Sequence, residues 1–170
     1  MPAKHSNILV MIEGALSIAL AVVFSRFDLF RMPQGGTIDF ELVPIIILTY
    51  RRGFKWGLIT GALFGVLRAL LGGYILNVVQ FILDYPLAFA CVSLVAIQPK
   101  IIGIIIAMAG QTLCSILSGV IFFAEYAPEG QNVWAYSFFY NAPVLGVKYA
   151  ISFIMSLILW KALERELPVR

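Results

Sequence analysis

The chain has 170 residues, of which 61% are hydrophobic and only 12% are charged, and its formal net charge is +3. A mean hydropathy of +0.95 is typical of an integral membrane protein and not of a soluble domain. Six passes would use about 28 residues each, which excludes a soluble catalytic, ATPase or nucleotide-binding domain, and the basic residues are too scattered for nucleic-acid binding.

Apolar stretches predict a single all-α domain over residues 1–170, with six transmembrane helices in contact with lipid. Their approximate bounds are 7–25, 38–50, 54–71, 75–97, 101–126 and 135–162. A span needs about 20 apolar residues, so the second stretch is the shortest candidate. The first stretch carries Glu13 and lacks a convincing cleavage site, so we interpret it as a helix and not as a signal peptide.

Basic residues indicate the orientation, because Lys and Arg are retained on the cytoplasmic side. With six passes both termini share a side, and that side carries Lys4, Arg51, Arg52, Lys55, Lys100, Lys161, Arg165 and Arg170. Both termini are therefore predicted to be cytoplasmic. The Gly- and Pro-rich connections 31–36, 72–74 and 127–130 then fall on the outer face, so a ligand site should open outward.

Small residues mark two helices. Helix 3 repeats glycine at positions 53, 57, 61 and 65, and helix 1 carries Gly14, Ala15 and Ala19. Such faces allow another helix backbone to approach closely. For helix 3 this favours packing inside the bundle. For helix 1, packing and docking to a partner subunit both remain open.

Asp84 is a lone carboxylate in the apolar stretch of helix 4. An ionisable group at membrane depth indicates a functional site unless it has another partner. Asn77, Gln80 and Asp84 are three and four residues apart and so share one helix face, while Tyr85 is turned by about 100°. Pro86 follows, and a proline in a membrane helix is tolerated where the backbone is buried or lines a cavity.

Further polar and aromatic side chains cluster at the predicted outer ends of helices 5 and 6: Phe122, Phe123, Tyr126, Tyr136, Tyr140 and Asn141. Together with a carboxylate, such rings and amides suit a flat, nitrogen-rich, cationic ligand. Aromatic residues at this depth are also the ordinary interfacial belt. In addition, Arg68 and Lys148 are intramembrane cations that could pair with Asp84 or Glu13.

No residue pattern indicates a metal, a cofactor or a catalytic group. Cys91 and Cys114 lie inside apolar stretches, and His5 is the only histidine. A proton-coupled carrier or intramembrane enzyme using Asp84 with Arg68 or Lys148 is an alternative from another class, although a nucleophile and base pair is lacking. A third hypothesis is a purely structural membrane subunit.

Several short motifs occur in a specific order along most of the chain: Pro33-Gln34-Gly35-Gly36, Val43-Pro44-Ile45, Arg51-Arg52-Gly53, Gly73-Tyr74-Ile75, Gln80 with Asp84-Tyr85, Gly119-Val120-Ile121-Phe122-Phe123, Tyr126-Ala127-Pro128-Glu129-Gly130, and Tyr136-Ser137 with Tyr140-Asn141. In these motifs the chain resembles the thiamine-specific S components, the substrate-binding subunits of energy-coupling factor (ECF) transporters. The resemblance implies a six-helix subunit of the prokaryotic plasma membrane that captures thiamine from outside and is not an enzyme. A transmembrane coupling subunit and two ATPase subunits, which use the ATP, would complete this ABC-type vitamin importer.

The resemblance also implies roles for individual residues. The ligand would lie under the loop between helices 1 and 2 and would contact residues matching Gln80, Asp84, Tyr85, Gly119, Tyr136 and Asn141. Phe122, Phe123 and Tyr126 are predicted to supply ring contacts, and Ser115 matches another pocket position. Ala15 and Ala19 match a small-residue pattern that docks onto the coupling subunit.

The sequence departs from the family pattern in the pocket. Asp84 stands where Glu is frequent, so its carboxylate is one methylene, or about 1.5 Å, shorter in reach. Ser115 replaces a frequent ring-stacking His, Phe123 stands where Trp sometimes occurs, and Phe30 is the nearest candidate lid. Thiamine is the predicted ligand, with a thiamine precursor or a related vitamin as the alternative.

Overall fold

The structure is a computed structural model that describes the backbone of residues 2–166 and the side chains of residues 7–163. Its helices are α1 (Pro2–Phe24), α2 (Leu42–Arg52), α3 (Phe54–Leu70), α4 (Val78–Ala96), α5 (Lys100–Phe122) and α6 (Val133–Glu166). An antiparallel hairpin of β1 (Phe30–Arg31) and β2 (Thr37–Ile38) joins α1 to α2. The side chains of Lys4, His5, Arg165 and Arg170 lie outside the described residues.

Four helices in the described part of the chain are long and apolar enough to cross a membrane: 7–24, 78–96, 100–122 and 133–163. The fold is therefore that of an all-α membrane protein. Helix α2 has 11 residues and is only about 16 Å long. It is buried along most of its length, with Leu42, Ile45 and Ile46 fully enclosed. This helix forms the centre of the bundle.

Three helix ends differ from their predicted positions. The second helix begins at Leu42 and not at 38, because 37–38 pair in the hairpin and Asp39 Oδ1 accepts the Glu41 N–H at 2.9 Å. The fourth begins at Val78 and not at 75, because the Asn77 side chain accepts N–H groups of the first helical turn. The fifth ends at Phe122 and not at 126, because residues Ala124–Tyr126 form a short 3-10 turn.

The glycine face of α3 packs against its neighbours, as predicted for a close helix contact. A Cβ on Gly61 would collide with the Phe89 carbonyl of α4, and one on Gly65 would collide with the Tyr85 carbonyl. Gly57 meets the side chain of Thr49 on α2 in the same way. Helices α3 and α4 therefore approach at backbone distance beside Asp84 and Tyr85.

Helix α4 is irregular where it carries these two residues. Its backbone widens into a π-turn over Leu83–Leu87 with Pro86 inside it, and its last part, Cys91–Ala96, is a 3-10 helix. Proline has no N–H to donate to the preceding turn, so the wider turn accommodates it. Asp84 and Tyr85 thus lie on a π-turn, a feature frequent at functional sites. By contrast, Pro143 lies inside α6 without ending that helix.

Glu13 of α1 pairs with the end of α2. Its two carboxylate oxygens each accept from the Arg52 guanidinium at 2.6 Å, and Arg51 lies 3.3 Å away. This two-pronged geometry is the strong form of an Arg–carboxylate contact. Glu13 is therefore engaged by Arg51 and Arg52, and not by Arg68 or Lys148.

Candidate functional site

A cavity of about 640 Å³ opens at the end of the bundle where the hairpin lies. Small-molecule sites typically span about 300–1,000 Å³. Two of the three Gly- and Pro-rich connections, 31–36 and 72–74, line the cavity, whereas 127–130 does not. These two connections and parts of α4, α5 and α6 thus enclose one space.

Most of the predicted ligand-binding residues meet around this cavity. Those that line it are Gln80, Asp84, Tyr85, Ser115, Gly119, Phe123, Tyr126, Tyr136 and Asn141. Phe122, the last residue of α5, does not line it. Phe30, the candidate lid, is also absent from the lining and is half exposed, at 51%.

Asp84 is held by two neutral donors. Its Oδ2 accepts from Gln80 Nε2 at 2.6 Å and from Ser118 Oγ at 2.7 Å. No cation among the described residues pairs with this carboxylate. Ser118 was not predicted, although Gln111, Ser115 and Ser118 are spaced four and three residues apart on α5, which places polar groups on one face of an apolar helix.

Arg68 and Lys148 have other partners. Lys148 Nζ contacts Glu41 and lies 3.2 Å from Asp39 Oδ2, while Arg68 Nε lies 3.1 Å from Glu41 Oε2. Two cations therefore balance two carboxylates, and three members of this cluster, Glu41, Arg68 and Lys148, line the cavity. The alternative in which Arg68 or Lys148 neutralises Asp84 is not the arrangement in the structure. Asp84 is the cavity-lining carboxylate that has no described cation beside it.

Aromatic rings form one wall of the cavity. The Phe123 and Tyr126 rings are nearly parallel, at 11°, with centroids 6.0 Å apart. The Tyr74 ring is also next to Phe123, with centroids 6.2 Å apart. Tyr74 was not among the predicted contacts, although it follows the Gly-Gly pair of a loop that was expected on the outer face. This wall offers π-faces to a flat ring.

The facing wall comes from the start of α6. Asn141 Nδ2 donates to the Ser137 carbonyl at 2.9 Å, which leaves the amide oxygen without a described donor. A Cβ on Gly119 would collide with Ser137 Oγ, so glycine lets α5 and α6 approach here. Tyr136 completes this wall. The acceptor oxygen of Asn141 and the carboxylate of Asp84 both border the same space.

Tyr140 fastens the hairpin over the cavity. Its hydroxyl accepts the Gln34 N–H at 2.9 Å and donates to the Gly35 carbonyl at 3.3 Å. The turn also has its own hydrogen bond, from Met32 N–H to the Gly36 carbonyl at 2.9 Å. At the hairpin base, Thr37 donates to Asp39 at 2.6 Å. The hairpin is thus attached to α6 at its tip by one side chain.

Ala15 and Ala19 lie on the outside of the bundle. Both are exposed and border a shallow apolar groove between α1 and α3, which also includes Ile18, Val22, Leu67 and Leu71. Gly14, by contrast, faces Thr60 of α3, where an added Cβ would come within 3.2 Å. The small residues of α1 therefore divide between internal packing and an open surface.

The side chains within residues 7–163 include no group of three His, Cys, Asp or Glu that could hold a metal ion. Cys91 and Cys114 are free thiols. The polar groups of the cavity are instead carboxylates, basic side chains, amides, hydroxyls and phenols, which bind organic ligands by hydrogen bonds and charge.

Comparisons with known proteins agree on one family. Residues 11–167 match the family described as Thiamine transporter protein (Thia_YuaJ). The chain is 29% identical to the thiamine transporter ThiT of Bacillus subtilis (strain 168), covering 92% of this chain and 93% of that protein. It is 31% identical to ThiT of Lacticaseibacillus paracasei, covering 81% and 80%.

A solved structure agrees with the sequence relatives. The structure, described as native-SAD phasing for ThiT from Listeria monocytogenes, has a TM-score of 0.82 and 25% identity, and covers 92% of this chain and 96% of that one. The relatives are named for transport and not for a reaction, in line with the prediction that the chain is not an enzyme. With its apolar helices, it is a multi-pass protein of the prokaryotic plasma membrane. The chain belongs to the thiamine transporter family.

Proposed function

We propose that the chain is a thiamine-binding S component that captures its ligand in the cavity beneath the hairpin. The observation that carries this proposal is Asp84, a cavity-lining carboxylate with no described cation paired to it, in a cavity that aromatic rings also line. Thiamine combines a cationic ring with an aminopyrimidine. The carboxylate would balance its charge or accept one of its N–H groups, and the rings would stack against it.

We further propose roles for the remaining cavity residues. Asn141, Tyr136 and Tyr85 supply hydrogen bonds, Phe123 and Tyr126 supply ring contacts, and Gly119 and Ser115 border the ligand. Gln80 also lines the cavity, and its amide supports Asp84. No metal or cofactor is part of this function.

The topology we propose has six membrane passes with both termini in the cytoplasm. The cavity end then faces outward, and the Glu13, Arg51 and Arg52 end faces inward. An impermeant thiol reagent added to intact cells should label Gln131→Cys and not Lys55→Cys. The native Cys91 and Cys114 lie in the lipid-spanning part, so a variant with both replaced by Ala gives the background. If the reagent labelled Lys55→Cys and not Gln131→Cys, the opposite topology would be indicated.

The chain would work as one subunit of an ECF-type importer. We propose that the groove beside Ala15 and Ala19 docks onto a transmembrane coupling subunit, and that two ATPase subunits hydrolyse ATP to drive release of thiamine inward. The resemblance to S components and the match to the thiamine transporter family support this division of labour. A relay of Asp84 with Arg68 or Lys148 has no support, because Asp39 and Glu41 engage both cations.

The test is calorimetric titration of purified chain with thiamine. Wild type should bind with a Kd below about 10 μM, equivalent to about 7 kcal/mol. Asp84→Asn keeps the shape but removes a charge-assisted contact of about 1.5–3 kcal/mol, so its affinity should fall by about 10–150-fold. Glu129→Gln is the matched control, because this carboxylate is exposed and outside the lining. Its affinity should match that of wild type.

The same titration distinguishes thiamine from its precursors. The isolated aminopyrimidine half should bind at least tenfold more weakly than thiamine, because it lacks the cationic ring. Tighter binding of that half would assign the site to a precursor. Failure of wild type to bind either compound, or equal affinities of wild type and Asp84→Asn, would reject the proposed role of the cavity.

A further inference from the structure

The two carboxylate oxygens of Asp84 differ in the hydrogen bonds that they accept. Oδ2 accepts two hydrogen bonds, from Gln80 at 2.6 Å and from Ser118 at 2.7 Å. None of the described residues donates to Oδ1. A carboxylate oxygen has about two lone-pair sites, so Oδ2 is saturated while Oδ1 is free. The two donors come from different helices, which fixes the plane of the carboxylate from two directions.

Ser118 differs from two other buried helical hydroxyls, Thr49 and Ser93, whereas Ser137 of α6 also donates to a neighbouring helix, at the Ile116 carbonyl. Buried Ser and Thr side chains in helices commonly donate to a carbonyl of the preceding turn, and Thr49 and Ser93 do so, at 2.8 and 2.7 Å. Ser118 instead donates across the helix interface to Asp84, although it is 1% exposed and has its own helical turn within reach. The single hydroxyl proton of Ser118 is therefore donated to the Asp84 carboxylate.

Gln80 has no free donor for a ligand. Its Nε2 donates to Asp84 and also to the Tyr74 carbonyl at 3.1 Å, and its Oε1 accepts the Leu76 N–H at 3.0 Å. The side chain is 1% exposed. Gln80 thus joins Asp84 to the loop that carries Tyr74 of the aromatic wall.

We infer that Ser118 is a positioning residue for ligand capture, which together with Gln80 clamps Oδ2 of Asp84 so that Oδ1 alone receives a donor from the ligand. This inference rests on the proposed function. A two-pronged contact, in which a ligand fork engages both oxygens, would require Oδ2 to give up a protein donor. The site therefore selects ligands that present a single N–H or cationic group to Asp84, with other heteroatoms directed to different residues.

The test is thiamine titration of purified, full-length variants. Ser118→Ala should bind at least tenfold more weakly than wild type, since a hydrogen bond to a charged group is removed. Ser93→Ala is the matched control: this serine is also buried and hydrogen-bonded, but it lies outside the cavity lining. Its affinity should stay within twofold of wild type.

A double-mutant cycle separates positioning from a general structural role. If Ser118 acts through Asp84, the Ser118→Ala change should weaken binding by less than twofold in the Asp84→Asn background. Equal losses in both backgrounds would overturn the inference, as would unchanged affinity of Ser118→Ala while wild type binds. Failure of wild type to bind thiamine would instead overturn the proposed function and this inference with it.

Discussion

Replacing Lys148 by Met should destabilise the fold strongly. The Lys148 side chain is 4% exposed and contacts Asp39 and Glu41, which are 0% and 2% exposed. Together with Arg68, the cluster holds two negative and two positive charges. Met keeps the aliphatic stem but removes the ammonium group, so one carboxylate charge remains buried without compensation.

The expected loss follows from the cost of an unpaired buried charge. Removing one partner of a buried ion pair costs about 3–5 kcal/mol. For a chain of this size, 1 kcal/mol shifts the unfolding midpoint by about 2–4 °C. We therefore expect the midpoint of Lys148→Met to fall by about 6–20 °C.

The assay is thermal unfolding of the detergent-solubilised protein, followed with a thiol-reactive fluorophore that labels Cys91 and Cys114 as they become accessible. The control is Lys55→Met, which removes a lysine from an exposed position. Exposed substitutions of this kind are usually within about 0.5 kcal/mol of wild type. Its midpoint should therefore change by no more than about 2 °C.

A second change tests the charge argument itself. Adding Asp39→Asn to Lys148→Met leaves Glu41 and Arg68, whose charges cancel, so the double variant should recover part of the lost stability. A Lys148→Met protein as stable as wild type would refute the reasoning. A double variant less stable than the single one would show that packing and not charge balance governs this site.

Three further predictions concern other parts of the molecule. Gly65→Ala should cost about 1–3 kcal/mol of stability through overpacking against the Tyr85 carbonyl. Its control, Gly146→Ala, introduces a Cβ into open space and should gain about 0.5–1 kcal/mol. Equal midpoints of the two variants in thermal unfolding would contradict the close contact at Gly65. Tyr140→Phe should raise the thiamine dissociation rate about fivefold in stopped-flow experiments, because it removes about 1 kcal/mol of hydrogen bonding to the hairpin; an unchanged rate would mean that the hairpin does not limit exit. Ala19→Trp should abolish thiamine uptake by cells while leaving the Kd of the purified chain unchanged; normal uptake would exclude this groove as the docking surface.

The sequence predicted much of the candidate site because helical periodicity fixes directions around one axis. The spacing of Gln80 and Asp84 placed both on one face of α4, and both line the cavity. The Gly-Gly-Tyr connection and the aromatic end of α5 were also expected at the same face. Phe122, which is predicted with Phe123 and Tyr126, does not line the cavity, because proximity along the chain does not determine the direction of a side chain.

The helix ends were less predictable than the helices themselves. Apolar content continues past the point where a side chain such as Asn77 or Asp39 captures backbone N–H groups and ends the regular pattern. Hydropathy alone therefore gave a second helix from 38, where the structure has a hairpin strand followed by a turn.

By itself, the sequence determined that the chain lies in a membrane, that it is helical, and which family it belongs to. Hydrophobicity, spacing and motif order are properties of the chain alone. Only the tertiary structure decided which charges meet. From the sequence, Arg68 and Lys148 could pair with Asp84 as well as with Asp39 and Glu41. Periodicity does not determine which helix face contacts which. Packing of the bundle assigned both cations to the second pair, brought Ser118 to Asp84 from 34 residues away, and so left one carboxylate oxygen free at the wall of the cavity.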